Sequence, residues 1–518
     1  MKFPNIAAVF RRKHANSALP VHEGPPLKRV LGTFDLTMNG IAAIIGAGIF
    51  VLVGTVASAH AGPGIWLSFL LSGLACACVA LAYAELSGML PSAGSVYEYA
   101  YHTLGEAIAF LMGWSVLVAY AVGSSAVAVA LSDYLEELLK PIGISLPAVM
   151  SQAPTHDVGI AIMIGAGSLC AGLVWRWLRG AASEGLLGLL WMPLVAFGAF
   201  KLALTLPLVS SVNLVAVATI ALISLHLYHG VKESVRFTTF LSVIETALVI
   251  AFIILSAGSF NSANLEPLMP FGPLGIISGA GTIFFAYIGF DSITTMGDEC
   301  RQPEKSMPRA IIYSLAICTV LYILVGLTMV AAVPYLELSA DAPLAFVLHK
   351  IGYGWLVSAF SLGVLLSIES TLNVMLYAQS RIIMSMSRDQ LLPAKIGAIS
   401  HKHHTPYVAI TVVGLFSALA SGLFPIGSLA GLVNIGVMAA FVAVCIGVIV
   451  LRYTAPDAAR TFRCPLMPAV PALGALISIV MMASLGAAVW MLYGASLSIG
   501  LLIYLAYGFK HSRLNQSK

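Results

Sequence analysis

Gly46-Ala47-Gly48-Ile49-Phe50 and, much later, Gly281-Thr282-Ile283-Phe284-Phe285-Ala286-Tyr287-Ile288-Gly289-Phe290-Asp291 are the two stretches on which the reading of this chain turns. Each lies inside a long apolar run and places glycine where a helix gains nothing from it. Glycine weakens a helix by about 1 kcal/mol relative to alanine, so Gly46 and Gly48 permit a break. The same small residues would also let two unbroken helices approach closely. The second stretch favours the break, because glycines flank its middle and an acid, Asp291, follows. Paired interruptions in corresponding positions of two halves point to a ligand site between two broken helices.

Working outward, the surroundings of both stretches are those of a membrane protein. Of the 518 residues 59% are hydrophobic and 9% charged, which a water-soluble fold would have to leave partly on its surface. A bilayer span needs about 20 mostly apolar residues. Fourteen are expected, near 34–58, 64–88, 104–132, 158–178, 186–209, 212–230, 236–258, 274–296, 309–333, 355–386, 407–424, 428–451, 468–490 and 493–509. With the N-terminus inside, all of the 26 Lys and Arg residues except Lys140, Lys350 and the in-span Lys201 fall on one side. Basic loops are held in the cytoplasm. Both termini are therefore expected there, and the protein in the inner (plasma) membrane. The polar start as far as Lys28 and Arg29 gives no expectation of a cleaved signal peptide.

Other classes lack their signatures. No Gly-x-Ser-x-Gly or His-Glu-x-x-His element occurs, and Gly46-Ala47-Gly48 lacks the third glycine of a dinucleotide fingerprint, with Val51 in its place. The net charge of +4 belongs to loops rather than to a nucleic-acid surface, and the cysteines read as reduced packing residues. His401-Lys402-His403-His404 reads as a solvated loop. No enzyme activity, cofactor, metal or nucleic-acid partner is expected.

Further motifs follow in order along the chain: Tyr83-Ala84-Glu85-Leu86 with Pro91-Ser92-Ala93-Gly94-Ser95, Gly230-Val231-Lys232-Glu233-Ser234, Pro303-Glu304 and Pro308, Arg381-Ile382, Arg388-Asp389 and Leu392-Pro393. Together with the two glycine stretches they resemble the amino acid–polyamine–organocation superfamily, and within it bacterial relatives of the cationic amino acid transporters. The likeness covers roughly residues 30–150 and 210–510. It implies an all-α, LeuT-like fold of two inverted five-helix repeats with discontinuous core helices 1 and 6. Residues 1–33 would be a cytoplasmic tail, 34–258 the first repeat with an inserted helical pair near 158–209, 274–451 the second repeat, 468–509 two more spans and 510–518 a tail.

The implied function is secondary transport of an amino acid, as symporter or exchanger, with a polyamine or other organic amine as the runner-up substrate and a nutrient sensor without net transport as the other reading; the two charges of an amino acid cannot be hidden without partners. The amides of Gly46, Ala47 and Gly48 would open a half-helix whose positive dipole end binds the carboxylate. The carbonyls of Ile44, Phe285, Ala286 and Ile288 would accept from the ammonium. Where proton-coupled relatives carry a lysine in the fifth core helix, this chain aligns Glu245, and the third core helix reads Val118-Ala119-Tyr120 where a glutamate often precedes the tyrosine. Glu245 is thus the first candidate to carry a coupling proton, and Asp291 is a second, with a capping or gate bond as its other role. Glu369, in the eighth core helix, is expected at the side-chain pocket as a counter-charge for basic substrates, with hydrogen-bonded packing as the bland reading for both glutamates. Glu85 is expected to tie its span to a neighbouring loop.

Overall fold

The computed structural model describes residues 11–13, 27–46, 48–139, 212–338, 342–423 and 430–516. Ala47 and the helical pair expected near 158–209 lie outside the described residues. Among those described the architecture is all-helical without a strand, apart from one isolated bridge pairing Leu31 with Cys300. Among the described residues eight helices are long and apolar enough to cross a bilayer, and shorter apolar helices occupy Leu214–His229, Tyr407–Gly422 and Ala469–Ala483. A chain of this composition has little else available, since lipid offers the backbone no partners and each segment must satisfy its own N–H and C=O groups.

The elements that position the site are α1 (Thr33–Ile44), α2 (Ile65–Met89), α3 (Glu106–Leu139), α4 (Leu214–His229), α5 (Val231–Ala257), α6 (Gly272–Ile283), α7 (Pro303–Ala332) and α8 (Val357–Arg388). Tyr407–Leu423, Ala430–Thr454, Ala469–Ala483 and Ala487–Ile503 follow as α9 to α12. Their ends obey local chemistry. The Asp35 carboxylate reaches back to the Gly32 N–H at 2.9 Å to open α1, the Asn213 side chain accepts from Ala216 N–H at 2.9 Å to open α4, and Pro303 stands at the start of α7, where a missing N–H costs nothing.

Burial sorts these helices into inner and outer ones. Every residue of α1 from Leu36 to Ile44 is buried, the mark of a helix enclosed on all sides. It packs on α5, α7 and α8. By contrast α11 and α12 turn Leu473, Leu476, Ile479, Met491 and Leu502 outward, as apolar lipid-facing walls do.

At the end of the bundle where both tails lie, charge pairs join the helices. Arg381 of α8 meets Glu299 at 2.8 Å with both side chains 1% exposed, and Arg388 pairs with Asp298. Lys13 of the N-terminal tail reaches Glu98 at 2.8 Å and Asp389 at 3.1 Å. Arg11 donates to Leu514 and Asn515 of the other tail. Burial alone would raise the Glu98 pKa, but the His102 hydrogen bond and the Lys13 ammonium outweigh it and hold the carboxyl at about 2. Glu85 has the structural tie expected of it: it accepts from Arg452 at 2.6 Å, Arg460 at 3.0 Å and the Cys464 N–H at 2.7 Å.

Candidate functional site

Helix α1 stops at Ile44 because the chain turns extended at Ile45 (φ −75°, ψ 101°) and reaches Gly46. Beyond Ala47 a π-helical turn at Gly48–Leu52 starts the second half of this crossing, which runs on to Ala61. The other break follows α6. After one 3-10 turn at Phe284–Tyr287, Ile288 is extended (φ −64°, ψ 133°) and Gly289 takes φ 129°, before a 3-10 helix at Phe290–Glu299. A side chain at Gly289 would suffer both that φ and a collision with the Ala43 carbonyl. Glycine is the residue that fits.

The two breaks touch. A Cβ added at Gly48 would lie 2.6 Å from Cα and Cβ of Ala286, and one added at Gly46 would lie 3.0 Å from Thr371 Oγ1. The structure thus brings together Ile44, Gly46, Gly48, Phe285, Ala286 and Ile288. A helix end leaves its last carbonyls without partners, and here hydroxyls from α7 and α8 supply them. Tyr322 Oη donates to the Ile44 carbonyl at 2.8 Å and lies 3.1 Å from that of Ala286. Thr371 Oγ1 lies 2.8 Å from the Ala42 carbonyl and 3.1 Å from that of Ile45. The Phe285 carbonyl accepts the Ile288 N–H at 3.2 Å. The carbonyls of Ile44 and Phe285 therefore each already hold one donor and keep a second lone pair for another, while the single Tyr322 proton can serve either Ile44 or Ala286 at a time.

The acids separate into different settings. Asp291, fully buried, accepts from Tyr120 Oη at 2.6 Å, while its Oδ1 has no partner among the described residues. This gives the tyrosine of Val118-Ala119-Tyr120 a bonding partner just past the second break. Glu245 is 1% exposed; its Oε2 accepts from Ser370 Oγ at 3.1 Å and its Oε1 has no partner among the described residues. Glu369 is placed elsewhere. Residues 367 and 371 of α8 face the α1 break, and at 3.6 residues per turn position 369 points about 200° away from residue 367. Glu369 is half-buried, on the same side as Leu362, which is 51% exposed. It does not join the two breaks.

Sequence reading passed over the hydroxyls. Ser367-Ile368-Glu369-Ser370-Thr371 is a polar island in an apolar helix, and the conspicuous charge drew attention from the residues at i, i+3 and i+4 that share one face. Tyr322 and Tyr134 gave only the weaker signal of a phenol within an apolar span. Tyr134 Oη donates to the Phe50 carbonyl at 3.1 Å. Next to it Phe50, Leu344, Phe360 and Val364 line a small apolar recess on the side of the breaks away from the tails.

Residues 31–508 match a family described as amino acid permease. The chain is 38% identical over 511 residues to the branched-chain amino acid permease BcaP of Bacillus subtilis (strain 168), covering 98% of this chain and 99% of that one. It is 37% identical over 511 residues to the methylthioribose transporter of the same organism, covering 99% and 100%. To the vacuolar cationic amino acid transporter 2 of Arabidopsis thaliana it is 32% identical over 463 residues, covering 87% of this chain and 64% of that one.

Proposed function

The chain belongs to the amino acid permease family, and from that premise we propose that it is a secondary transporter of amino acids, as symporter or exchanger, in the plasma membrane. It works by alternating access between two inverted repeats of five helices, 34–258 and 274–451, with both tails in the cytoplasm. The observation that carries this reading is the contact between the two breaks, with Gly48 laid against Ala286 and Tyr322 between the carbonyls of Ile44 and Ala286. The amides of Gly46, Ala47 and Gly48 take the substrate carboxylate at the positive end of the half-helix. The free lone pairs of the Ile44, Phe285, Ala286 and Ile288 carbonyls take its ammonium. Backbone recognition of this kind leaves the side chain to the surrounding surface. The likeness to branched-chain amino acid permeases favours an aliphatic side chain over a cationic one. Glu245 and Asp291 are the groups placed to sense a coupling ion.

A second reading rests on the likeness to the methylthioribose transporter, which is as extensive as that to the branched-chain permease. Methylthioribose has neither carboxylate nor ammonium and would leave the amides beyond Gly46 without an anion. One screen decides between them: thermal unfolding of the purified chain with amino acids, polyamines and methylthioribose, since a ligand of the native state raises the midpoint. Neutral aliphatic amino acids should raise it, and uptake of the same compounds into proteoliposomes should follow. A shift with methylthioribose alone selects the second reading. Ligand binding without uptake would mark a sensor that keeps the fold.

A further inference from the structure

Three exposed cations near the tail end of the bundle have no anion. Arg236 of α5 and Lys305 and Arg309 of α7 are exposed, and no hydrogen bond or ion pair engages their side chains among the described residues. Arg236 stands four residues before the exposed Phe240, and Arg309 four residues before the exposed Tyr313. Residues four apart share a helix face, so on each helix a cation lies one turn, about 6 Å, before an outward-facing ring. Past the rings the same faces continue apolar, with Val243, Ile250 and Ile254 on α5 and Ile317, Val320 and Leu324 on α7.

Helix α1 packs on both helices and fixes their relative level. Asn39 Nδ2 donates to Thr239 Oγ1 at 3.2 Å and Ser242 Oγ to the Met38 carbonyl at 2.8 Å, which sets Phe240 beside Met38 and Asn39. Thr33 Oγ1 lies 3.0 Å from Ser306 Oγ, and a Cβ added at Gly40 would lie 2.8 Å from Ser314 Oγ, which sets Tyr313 beside the same turn of α1. Both helices start at the tail end. Ser234 of α5 reaches Asn373 at 3.0 Å while Glu245 accepts from Ser370, so the start of α5 points toward Arg381, and α7 begins just after Glu299, the partner of Arg381. The two rings therefore share one level, and Arg236 and Arg309 share another, one turn nearer the tails.

We propose that Arg236 and Arg309, with Lys305 a turn beyond, bind the phosphate of one anionic phospholipid whose acyl chains lie along Phe240, Tyr313 and the apolar faces past them. Helices α5 and α7 touch, and packed helices stand about 8–10 Å apart. Two long arginines at one level can then converge on a single phosphate, which a guanidinium holds through parallel N–H donors. A soluble anion would use the cations alone. The rings one turn deeper sit where aromatic side chains mark the boundary between headgroup and hydrocarbon, and the stripe past them gives an acyl chain its surface. The choice of leaflet rests on the transporter reading above, which places the tail end in the cytoplasm, where anionic lipids attract basic residues. Bound there, the lipid ties α5 to α7 beside the first turns of α1, the helix that ends at the Gly46 break.

The test uses the purified full-length chain in dodecyl maltoside micelles, titrated with dioleoyl phosphatidylglycerol or with dioleoyl phosphatidylcholine, which has the same chains and no net charge. The unfolding midpoint should rise and saturate with phosphatidylglycerol alone. Arg236→Gln and Arg309→Gln should each raise the half-saturating lipid fraction about fivefold, and the double variant about 25-fold. Lys510→Gln, at an exposed cation just past α12, should leave it unchanged. Equal shifts with the two lipids overturn the site. So does a loss from Lys510→Gln as large as that from Arg236→Gln, which would mean that net charge alone attracts the lipid. Saturating stabilisation by glycerol 3-phosphate, a headgroup without chains, overturns it as well and assigns the arginines to a soluble anion. Micelles have no sides, so these results stand apart from the transporter reading. An N-terminal tail cut by protease added outside intact cells would keep the lipid site and remove the proposed orientation, whereas a protected tail with no phosphatidylglycerol effect removes the lipid and keeps the orientation.

Discussion

In the middle of the bundle the two breaks are joined by hydroxyls donating to main-chain carbonyls, whereas at the tail end the same helices are joined by charge pairs. The contrast extends to the acids. Glu85, Glu98 and Glu299 each meet a basic side chain, while among the described residues Glu245 and Asp291 have only hydroxyl partners and one oxygen apiece without a hydrogen bond. A paired acid is a finished contact and holds a wall in place. A buried acid without a cation is costly to keep, and its retention argues for a partner that comes and goes. On the transporter reading proposed above, the middle of the molecule is the place for ligands and the tail end the place for closure.

The contact between the breaks is the sharpest place to break that contrast. Gly48→Leu should abolish uptake, because even its Cβ would fall 2.6 Å from the main chain at Ala286 and the rest of the side chain would fill the carboxylate position. Monodisperse elution with uptake lost is the expected pair of results. Uptake at the wild-type rate would remove backbone recognition from this site.

At the tail end the largest effect belongs to Arg381. Breaking a buried ion pair by removing one partner costs about 3–5 kcal/mol, because the other charge stays behind. Arg381→Met should lower the unfolding midpoint sharply, and adding Glu299→Gln should restore part of the loss. Equal destabilisation of the single and double variants would mean that Arg381 acts through its packing on Tyr377, whose ring lies 4.1 Å away, rather than through the pair.

Tyr322→Phe gives an intermediate effect and separates hydroxyl from ring. Losing the donor to the Ile44 carbonyl costs about 1–3 kcal/mol if that carbonyl is left short of a partner, and each 1.4 kcal/mol is about tenfold in affinity. Uptake should persist with its apparent affinity weakened by roughly that factor. An unchanged affinity would mean that the tyrosine only fills space.

The positions of the breaks were legible from the sequence because Gly46 and Gly48 have a counterpart in Gly281 and Gly289: close helix packing would explain either stretch alone, and their pairing in two halves favours the break. The tie of Glu85 to a neighbouring loop was legible as well, since a buried acid near a basic loop has few alternatives. What holds the breaks together was not. Tyr322, Ser367, Ser370 and Thr371 act on carbonyls far away in the chain, and a hydroxyl in an apolar helix reads the same whether it bonds its own preceding turn or another helix. The charge pairs of the tail end depend likewise on which loops meet, as with Lys13 between Glu98 and Asp389.

That tail contact predicts a small pH effect. Glu98 has its pKa lowered from 4.5 to about 2, so the stability it contributes is fully present above its unfolded value and is lost only as the pH falls toward the folded one. Acidifying from about pH 7 to 5 should leave Lys13 seated on Glu98. Protection of the N-terminal tail from protease at the two pH values checks this. Release of the tail at pH 5 would show that Asp389, raised by burial beside Glu98, governs the contact instead.

The smallest effect is expected at Glu369, where the sequence suggested a counter-charge for basic substrates. Its position about 200° around α8 from residue 367 and its half-buried state put it outside the space between the breaks. A charge there has no short path to a ligand resting on Gly48 and Ala286. Glutamine keeps the shape and hydrogen bonding of the side chain and removes only its charge. Glu369→Gln should therefore leave the preference between cationic and neutral amino acids unchanged, as measured by competition of lysine against leucine for uptake. Glu245→Gln, measured beside it, should alter ion dependence. A shift in lysine preference from Glu369→Gln would mean that α8 rotates during transport and carries this face inward.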